Sequence, residues 1–251
     1  MTFPTPAPVV EIERRLNWRW LGLVGFLAII VTLAVMSAVS LLVPARRVAG
    51  LPPDPEVQAV AATLQGRLPV LAGGLRFRSA LTGEAAPGAG LGAAEAMLAE
   101  RAAASLASAA RRLRGDERLE VARGHLDLVL GCLDPAGRRY SDAERRYRAV
   151  TARGREAPEA RLGIGLVLAL QARTERHALR ARALRLEALS QWVAVSRDDP
   201  AWTVALYDRA LLLAELGHTA EAEAVAREYL ALDPSEPWAG RLRQALAVRP
   251  D

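Results

Sequence analysis

The longest hydrophobic pattern in the chain is a run without a charged residue from Leu21 to Val43. At about 1.5 Å per residue this run spans roughly 34 Å as a helix, enough to cross a hydrocarbon core of about 30 Å. Trp18 and Trp20 stand at one end and two arginines follow the other, as expected at the two membrane interfaces. The pattern predicts a transmembrane helix over 18–44.

A cleaved signal peptide is the alternative for this segment. The apolar region of a signal peptide is usually about 7 to 15 residues long, so this run is too long. Arg14, Arg15 and Arg19 precede the span and outnumber the two arginines after it, which favours a cytoplasmic N-terminus and a periplasmic domain. Small side chains share one face of the predicted span and would let another helix approach closely: Gly22, Gly25, Ala28 and Thr32.

Prolines mark the segments on either side of the predicted span. They indicate a non-helical N-terminal tail over 1–17 and a stiff linker over 45–56. At the end of the linker, Asp54 and Pro55 have the residue types of an N-cap and a first helical position. A short helix is therefore predicted from Pro55 to Leu68.

The region from 57 to 117 is predicted to be helical with one interruption. Two adjacent glycines, Gly73 and Gly74, would tolerate a tight turn and allow a small hairpin over 70–78. Glycine and proline over 80–92 are typical of a flexible connection. An amphipathic helix then follows to Leu113, ended by a left-handed Gly115; its apolar stripe consists of Met97, Leu98, Ala102, Leu106 and Ala109.

A period of 34 residues appears toward the C-terminus. Asp199-Pro200 and Asp233-Pro234 are 34 residues apart, and so are Ala188 and Ala222. The spacing resembles the tetratricopeptide repeat, a helix-turn-helix of about 34 residues in which small residues let paired helices touch. The resemblance covers about 118–251, and it implies an all-α stack of helix pairs that binds partners.

The last unit, 206–234, matches the family pattern best. Ala210 and Ala222 occupy the small positions of its two helices, and Gly217 occupies the turn. An earlier second helix is predicted over 188–200, ended by Pro200, and a more degenerate unit surrounds Tyr140 and Tyr147. Three residues depart from the family pattern in the last unit: Arg209, Ala226 and Tyr229.

Composition removes several kinds of catalytic and metal chemistry. All 33 basic residues are arginine, so no lysine is present for a Schiff base or a phosphate loop. The single cysteine, Cys132, excludes an internal disulfide and the cysteine-rich zinc motifs. The three histidines occur singly, without a second ligand at metal-binding spacing. We therefore predict a protein that is not an enzyme and needs no cofactor.

The net charge of +5 and the pI near 10.2 are compatible with binding to nucleic acid. The complete absence of lysine instead indicates a codon bias toward GC, so we expect no nucleic-acid partner. A basic stretch from Arg173 to Arg185 is either a solvated helix face or a docking surface for an acidic protein or lipid headgroups. The aromatic residues that follow it are either core residues or the lining of the concave groove that repeats offer to partners. The candidate protein-binding residues are therefore Arg173, Arg176, Arg180, Trp192, Trp202, Tyr207 and Trp238.

Together, a membrane span and helix pairs without catalytic groups predict a non-catalytic accessory or scaffold subunit of a bacterial inner-membrane complex. The architecture is similar to that of one-span subunits of photosynthetic reaction-centre or respiratory assemblies. The expected partners are the lipid bilayer, neighbouring transmembrane helices and a periplasmic subunit. The alternative is a membrane-anchored periplasmic tetratricopeptide biogenesis factor that assists cytochrome c maturation or a secretion channel.

Overall fold

The structure, a computed structural model, describes residues 51–67, 76–77, 92–133, 138–153 and 157–247. The predicted tail and span, with Trp18, Trp20, Gly22, Gly25, Ala28 and Thr32, lie outside these ranges. Among the described helices, none combines the length and the apolar character that a membrane crossing requires. The described residues form no strand, which confirms the all-α prediction for this part of the chain. The helices are α1 (Pro55–Arg67), α2 (Ala93–Arg112), α3 (Glu117–Gly131), α4 (Arg138–Thr151), α5 (Pro158–Thr174), α6 (Ala178–Val193), α7 (Ala201–Glu215), α8 (Thr219–Leu232) and α9 (Trp238–Ala247).

Local capping determines where the first helices begin and end. Asp54 Oδ1 accepts the backbone N–H groups of Glu56 at 3.0 Å and Val57 at 3.1 Å, which confirms Asp54 as the N-cap of α1. Gly115 follows α2 with φ of 85°, as predicted for a left-handed residue after a helix. Asp116 then caps α3 by accepting two backbone N–H groups.

The predicted apolar stripe of α2 is wrong at Met97, which is 53% exposed. The buried stripe begins instead at Ala99 and continues through Ala102, Leu106 and Ala109. At 100° per residue Met97 lies about 200° from Ala99, so it points away from the stripe. Three of the predicted stripe residues are therefore buried as expected.

The described helices stack as consecutive pairs. Each helix packs against the next one in the chain, and the first helices of successive pairs (α3, α5, α7) also contact one another, with α9 continuing this row. Ala188 and Ala222, the small residues 34 positions apart, are both fully buried in the second helices of two pairs. Helix pairs are thus present over 117–232, where the repeat spacing predicted them.

One helix boundary differs from the prediction based on the repeat. α6 ends at Val193 and not at Pro200. Asp199 Oδ1 accepts the N–H of Ala201 at 2.7 Å, so Asp199-Pro200 begins α7 instead of closing α6. The boundary between α6 and α7 therefore follows the side chain that caps α7 and does not follow the repeat spacing.

Aromatic side chains of the second helices pack directly on glycines of the first helices. Tyr147 of α4 is fully buried between Gly124 of α3 and Gly163 of α5. A Cβ atom on Gly124 would lie 2.5 Å from Tyr147 Cε1. Trp192 of α6 covers Gly165 of α5 in the same way. The glycines are needed here because only a residue without a side chain admits the ring.

A buried carboxylate joins three helices at the N-terminal end of the stack. The side chain of Asp127 on α3 is 5% exposed and accepts Arg139 Nη1 at 3.1 Å and Arg146 Nε at 2.7 Å. Both arginines lie on α4, and they also reach Glu100 of α2 and Glu120 of α3. The charge of Asp127 is therefore fully compensated, as a buried carboxylate requires.

We expect Gly163→Ala to destabilise the fold by about 1–3 kcal/mol, since the added methyl group overlaps the buried Tyr147 ring. Chemical denaturation followed by circular dichroism measures the effect. The matched control is Gly240→Ala on α9, where the nearest atoms belong to the flexible carboxyl group of Glu236. The control should change stability by less than about 0.5 kcal/mol. Equal effects of the two substitutions would contradict the proposed packing role of Gly163.

We expect Asp127→Ala to cost about 3 kcal/mol, because it leaves two partly buried guanidinium groups without their shared carboxylate. The control is Asp142→Ala, which breaks the exposed pair with Arg145 and should cost less than about 0.5 kcal/mol. The same denaturation assay compares both variants with the parent chain. A loss at Asp127 no greater than at Asp142 would show that the network contributes little.

Candidate functional site

A two-residue segment remote in sequence lies in a groove formed by α5 to α9. Arg76 and Phe77 are neither helix nor strand, and the other residues of the hairpin predicted over 70–78 lie outside the described ranges. Phe77 is fully buried, and Arg76 has a side chain only 10% exposed. We call the residues that hold this segment the aromatic groove, which consists of Arg173, Trp192, Tyr207, Asp208, Tyr229 and Trp238.

Phe77 occupies the apolar end of the aromatic groove. Its ring centroid lies 5.9 Å from that of Trp192, and the guanidinium carbon of Arg173 lies 4.8 Å from the Phe77 centroid. Arg173 also reaches Glu215 Oε1 at 3.2 Å, so its charge is compensated. The indole N–H of Trp192 donates to the Leu162 carbonyl at 3.2 Å, which fixes the ring that receives Phe77.

Asp208 binds the backbone of the segment. Its Oδ1 accepts the N–H of Phe77 at 2.8 Å across 131 positions of sequence. Asp208 is fully buried, and within the described residues its Oδ2 has no hydrogen-bond partner. Burial raises the pKa of Asp208 to about 8, against the opposing effects of the Phe77 amide and the Arg76 charge. The carboxyl group is therefore mainly protonated at neutral pH.

Arg76 lies among three aromatic rings. Its guanidinium carbon is 5.3 Å from the centroid of Tyr207, 5.8 Å from that of Tyr229 and 4.8 Å from that of Trp238. The rings contact one another, with 5.5 Å between Tyr207 and each of the other two. A cation held over ring faces away from water is stabilised by their quadrupoles, by up to about 2 kcal/mol for a desolvated pair.

A carboxylate behind the rings completes the arginine site. Tyr229 accepts Arg76 Nη1 at 3.1 Å and donates its hydroxyl proton to Asp233 Oδ2 at 3.0 Å. Asp233 Oδ2 also lies 3.8 Å from Arg76 Nη2. The hydroxyl group of Ser235 donates to Asp233, and this bond lowers the pKa of Asp233. Asp233 therefore stays ionised and balances the charge of Arg76.

The predicted protein-binding residues separate into two groups. Arg173, Trp192, Tyr207 and Trp238 meet in the aromatic groove. The other three lie elsewhere: Arg176 and Arg180 are exposed beyond α5, and Trp202 is buried beside Arg197 and Arg209. The basic stretch is accordingly no single surface, because Arg173 faces the groove while Arg180 pairs with Glu175.

Within the aromatic groove and the Arg76–Phe77 segment that it holds, four residues were not predicted from the sequence. Arg76 and Phe77 fell in the segment interpreted as a possible hairpin, and neither Asp208 nor Tyr229 was singled out as a binding residue. Two signals were present in the sequence. Asp208 is an acidic residue in the middle of a mostly apolar helix. Tyr229 departs from the repeat pattern by placing a large ring where a small residue is usual.

Two titratable side chains outside the groove, His125 and Cys132, contact tyrosines of α4. His125 is partly buried with its ring 5.7 Å from that of Tyr147, and burial lowers its pKa to about 4, so it is neutral at pH 7. The thiol of Cys132 donates to the Leu128 carbonyl and accepts the Tyr140 hydroxyl. Over the described ranges, no group of three or more His, Cys, Asp or Glu side chains is placed to hold a metal ion.

Comparison with known proteins finds no protein-family model, curated protein or solved structure that matches the chain. The geometry of the groove is therefore the basis for a functional conclusion. This groove combines rings around a cation, a ring-lined pocket and an acceptor for a backbone N–H, and all three are used by the chain's own Arg76–Phe77.

We expect Asp208→Asn to change the pH dependence of stability. The amide oxygen still accepts the Phe77 N–H, but the group no longer titrates. Between pH 3.8, the ordinary pKa of an aspartate, and about 8, its pKa in the fold, the folded chain holds one more proton on Asp208 than the unfolded chain, so stability falls as pH rises. Relative to the parent, the variant should gain up to about 1.4 kcal/mol per pH unit in this window.

Thermal denaturation at several pH values from about 5 to 9 measures this gain, which should level off above about pH 8. Asp208→Ala is the control, because it removes the acceptor as well and should be less stable than Asp208→Asn at every pH. Parallel pH profiles for the parent chain and Asp208→Asn would contradict a raised pKa for Asp208.

Proposed function

We propose that this chain is a non-catalytic scaffold subunit that binds a partner protein of a bacterial membrane complex through its stacked helix pairs. In this proposal the uncharged run from Leu21 to Val43 holds the chain in the inner membrane, with the helical domain in the periplasm. The stack has the architecture that tetratricopeptide-like proteins use to present a groove to other polypeptides.

The observation that carries the proposal is that the aromatic groove holds a piece of polypeptide by its backbone and its side chains. The Phe77 N–H binds Asp208, the Phe77 ring packs on Trp192, and the Arg76 cation lies among aromatic rings. Aromatic residues and arginine are also the types that contribute most to protein–protein binding. These groups recognise and position a ligand.

An apolar stripe on the outer face of α6 offers a second surface to a partner. Leu179, Leu186 and Val193 are spaced seven residues apart and are 86%, 47% and 56% exposed. Single exposed apolar side chains need no explanation, but a seven-residue spacing aligns them along one side of the helix, as in a coiled-coil seam. This stripe supports docking of a partner helix.

The self-occupied groove favours the biogenesis factor as a second candidate function. A client that enters the aromatic groove must displace Arg76 and Phe77, and this competition lowers its apparent affinity. Weak, exchangeable binding is what an assembly helper requires. A structural subunit would instead use surfaces that are already open, such as the α6 stripe.

Purification of the full-length chain in mild detergent distinguishes these functions. A scaffold subunit should retain companions at a fixed, near-equimolar ratio, whereas a biogenesis factor should lose them during washing. Leu179→Glu combined with Leu186→Glu should reduce companion recovery at least about tenfold if the α6 stripe is the contact. Met97→Glu is the control, since Met97 is similarly exposed but lies on α2. Failure to recover a companion under any condition, or turnover of a small molecule by the chain, would refute the proposal.

A further inference from the structure

We propose that the aromatic groove is the binding site for a segment of a partner protein in which arginine directly precedes an aromatic residue, and that Arg76–Phe77 occupies it as a tethered competitor. This inference rests on the proposed function and specifies the chemistry of the partner. It also adds a condition for binding, because the partner must displace the chain's own segment.

The groove imposes a different requirement at each of the two ligand positions. The first residue must be a cation that stacks on rings and donates to Tyr229, which a planar guanidinium does better than an ammonium group. The second must carry an aromatic ring for the pocket beside Trp192 and a backbone N–H for Asp208. Proline is excluded at this second position because it has no N–H.

The chain's own segment does not use every group in the groove. Asp208 is fully buried, and within the described ranges its Oδ2 has no hydrogen-bond partner. A buried polar atom without a partner weakens whatever complex leaves it unsatisfied. A partner segment that brings a hydrogen-bonding group to this oxygen would therefore bind more tightly than Arg76–Phe77 does.

The segment can leave the groove without unfolding a helix. Arg76 and Phe77 belong to no helix, so their release breaks no hydrogen bond of a helical ladder. The helices that form the groove are held together by contacts of their own, among them the packing of Trp192 on Gly165. Exchange of ligands is thus compatible with a stable stack.

A second copy of the chain is a poorer occupant than a different protein. Its Arg76–Phe77 would make the same contacts that the tethered segment already makes. A tethered ligand acts at an effective concentration in the millimolar range, and association of two chains also costs translational and rotational freedom. Exchange between copies therefore gains nothing, whereas a partner with additional contacts can displace the segment.

The test uses a labelled synthetic peptide with the sequence of residues 70–82 and the full-length chain in detergent. Removing the competitor with Arg76→Ala and Phe77→Ala should open the groove. We expect this double variant to bind the peptide at least about tenfold more tightly than the parent chain, measured by fluorescence anisotropy. Circular dichroism tests whether the double variant is folded. If the double variant is unfolded, the single variant Arg76→Ala is used in its place.

Altered peptides and an altered groove test the specificity. Replacing the peptide residue that corresponds to Arg76 by alanine, or the one that corresponds to Phe77 by alanine or proline, should lower peptide affinity at least about tenfold, since several groove contacts are lost at once. Adding Tyr229→Leu to the opened variant should have the same effect on the unaltered peptide. Met97→Ala is the control and should leave binding unchanged. Trp202 also lies outside the groove, but it is buried and is therefore not a suitable control position.

Three results would overturn the proposal. The first is that the peptide does not bind to a folded, opened variant. The second is that the altered and unaltered peptides bind equally well. The third is a dimer of the parent chain that disappears when Arg76 and Phe77 are replaced. The last result would identify a second copy as the occupant. Recovery of equimolar companions with the parent chain, combined with failed peptide binding, would reject this inference while leaving the scaffold function in place.

Discussion

Trp192 connects the packing of the helix stack to the chemistry of its groove. Its indole covers Gly165, where α5 has no side chain, and its N–H donates to the Leu162 carbonyl. The ring that receives Phe77 is thereby fixed against α5. Close approach of α5 and α6 is a condition for the groove, since separating these helices would remove the surface on which Phe77 rests.

Two buried carboxyl groups show how the same residue type serves packing in one place and recognition in another. Asp127 has two arginine partners, so its charge is compensated and it fastens α3 to α4. Asp208 has a backbone amide as its hydrogen-bond partner, and burial raises its pKa to about 8. A neutral carboxyl group in an apolar groove is suited to hydrogen bonding with a peptide backbone, because that backbone is itself uncharged.

Because the chain's own segment occupies the groove, a partner must exceed a threshold of affinity to enter it. A free segment that makes the same contacts cannot displace a tethered one. A partner protein must therefore make contacts that Arg76–Phe77 does not make. The aromatic cage around Arg76 and the partly unsatisfied Asp208 favour the same class of ligand. Under the proposed function, this threshold would separate a specific partner from the many proteins that expose an arginine beside an aromatic residue.

The sequence by itself determined the helical class of the described region, the N-cap at Asp54, the left-handed Gly115 and the buried small residues Ala188 and Ala222. These features depend on capping, periodicity and spacing, which act over a few residues or one repeat. Within α2 and α6 local rules were insufficient. In α2, packing leaves Met97 off the buried stripe that the hydrophobic pattern predicted. Asp199 caps α7, so it does not close α6 as the repeat spacing predicted.

Only the tertiary structure decided which residues form the site. Four predicted residues, Arg173, Trp192, Tyr207 and Trp238, meet in the groove, but no spacing in the sequence distinguishes them from Trp202. Phe77 and Asp208 are 131 positions apart and belong to different kinds of local structure. Their meeting depends on how successive helix pairs stack and on where a non-helical segment lies against them, and no local interaction along the chain encodes either.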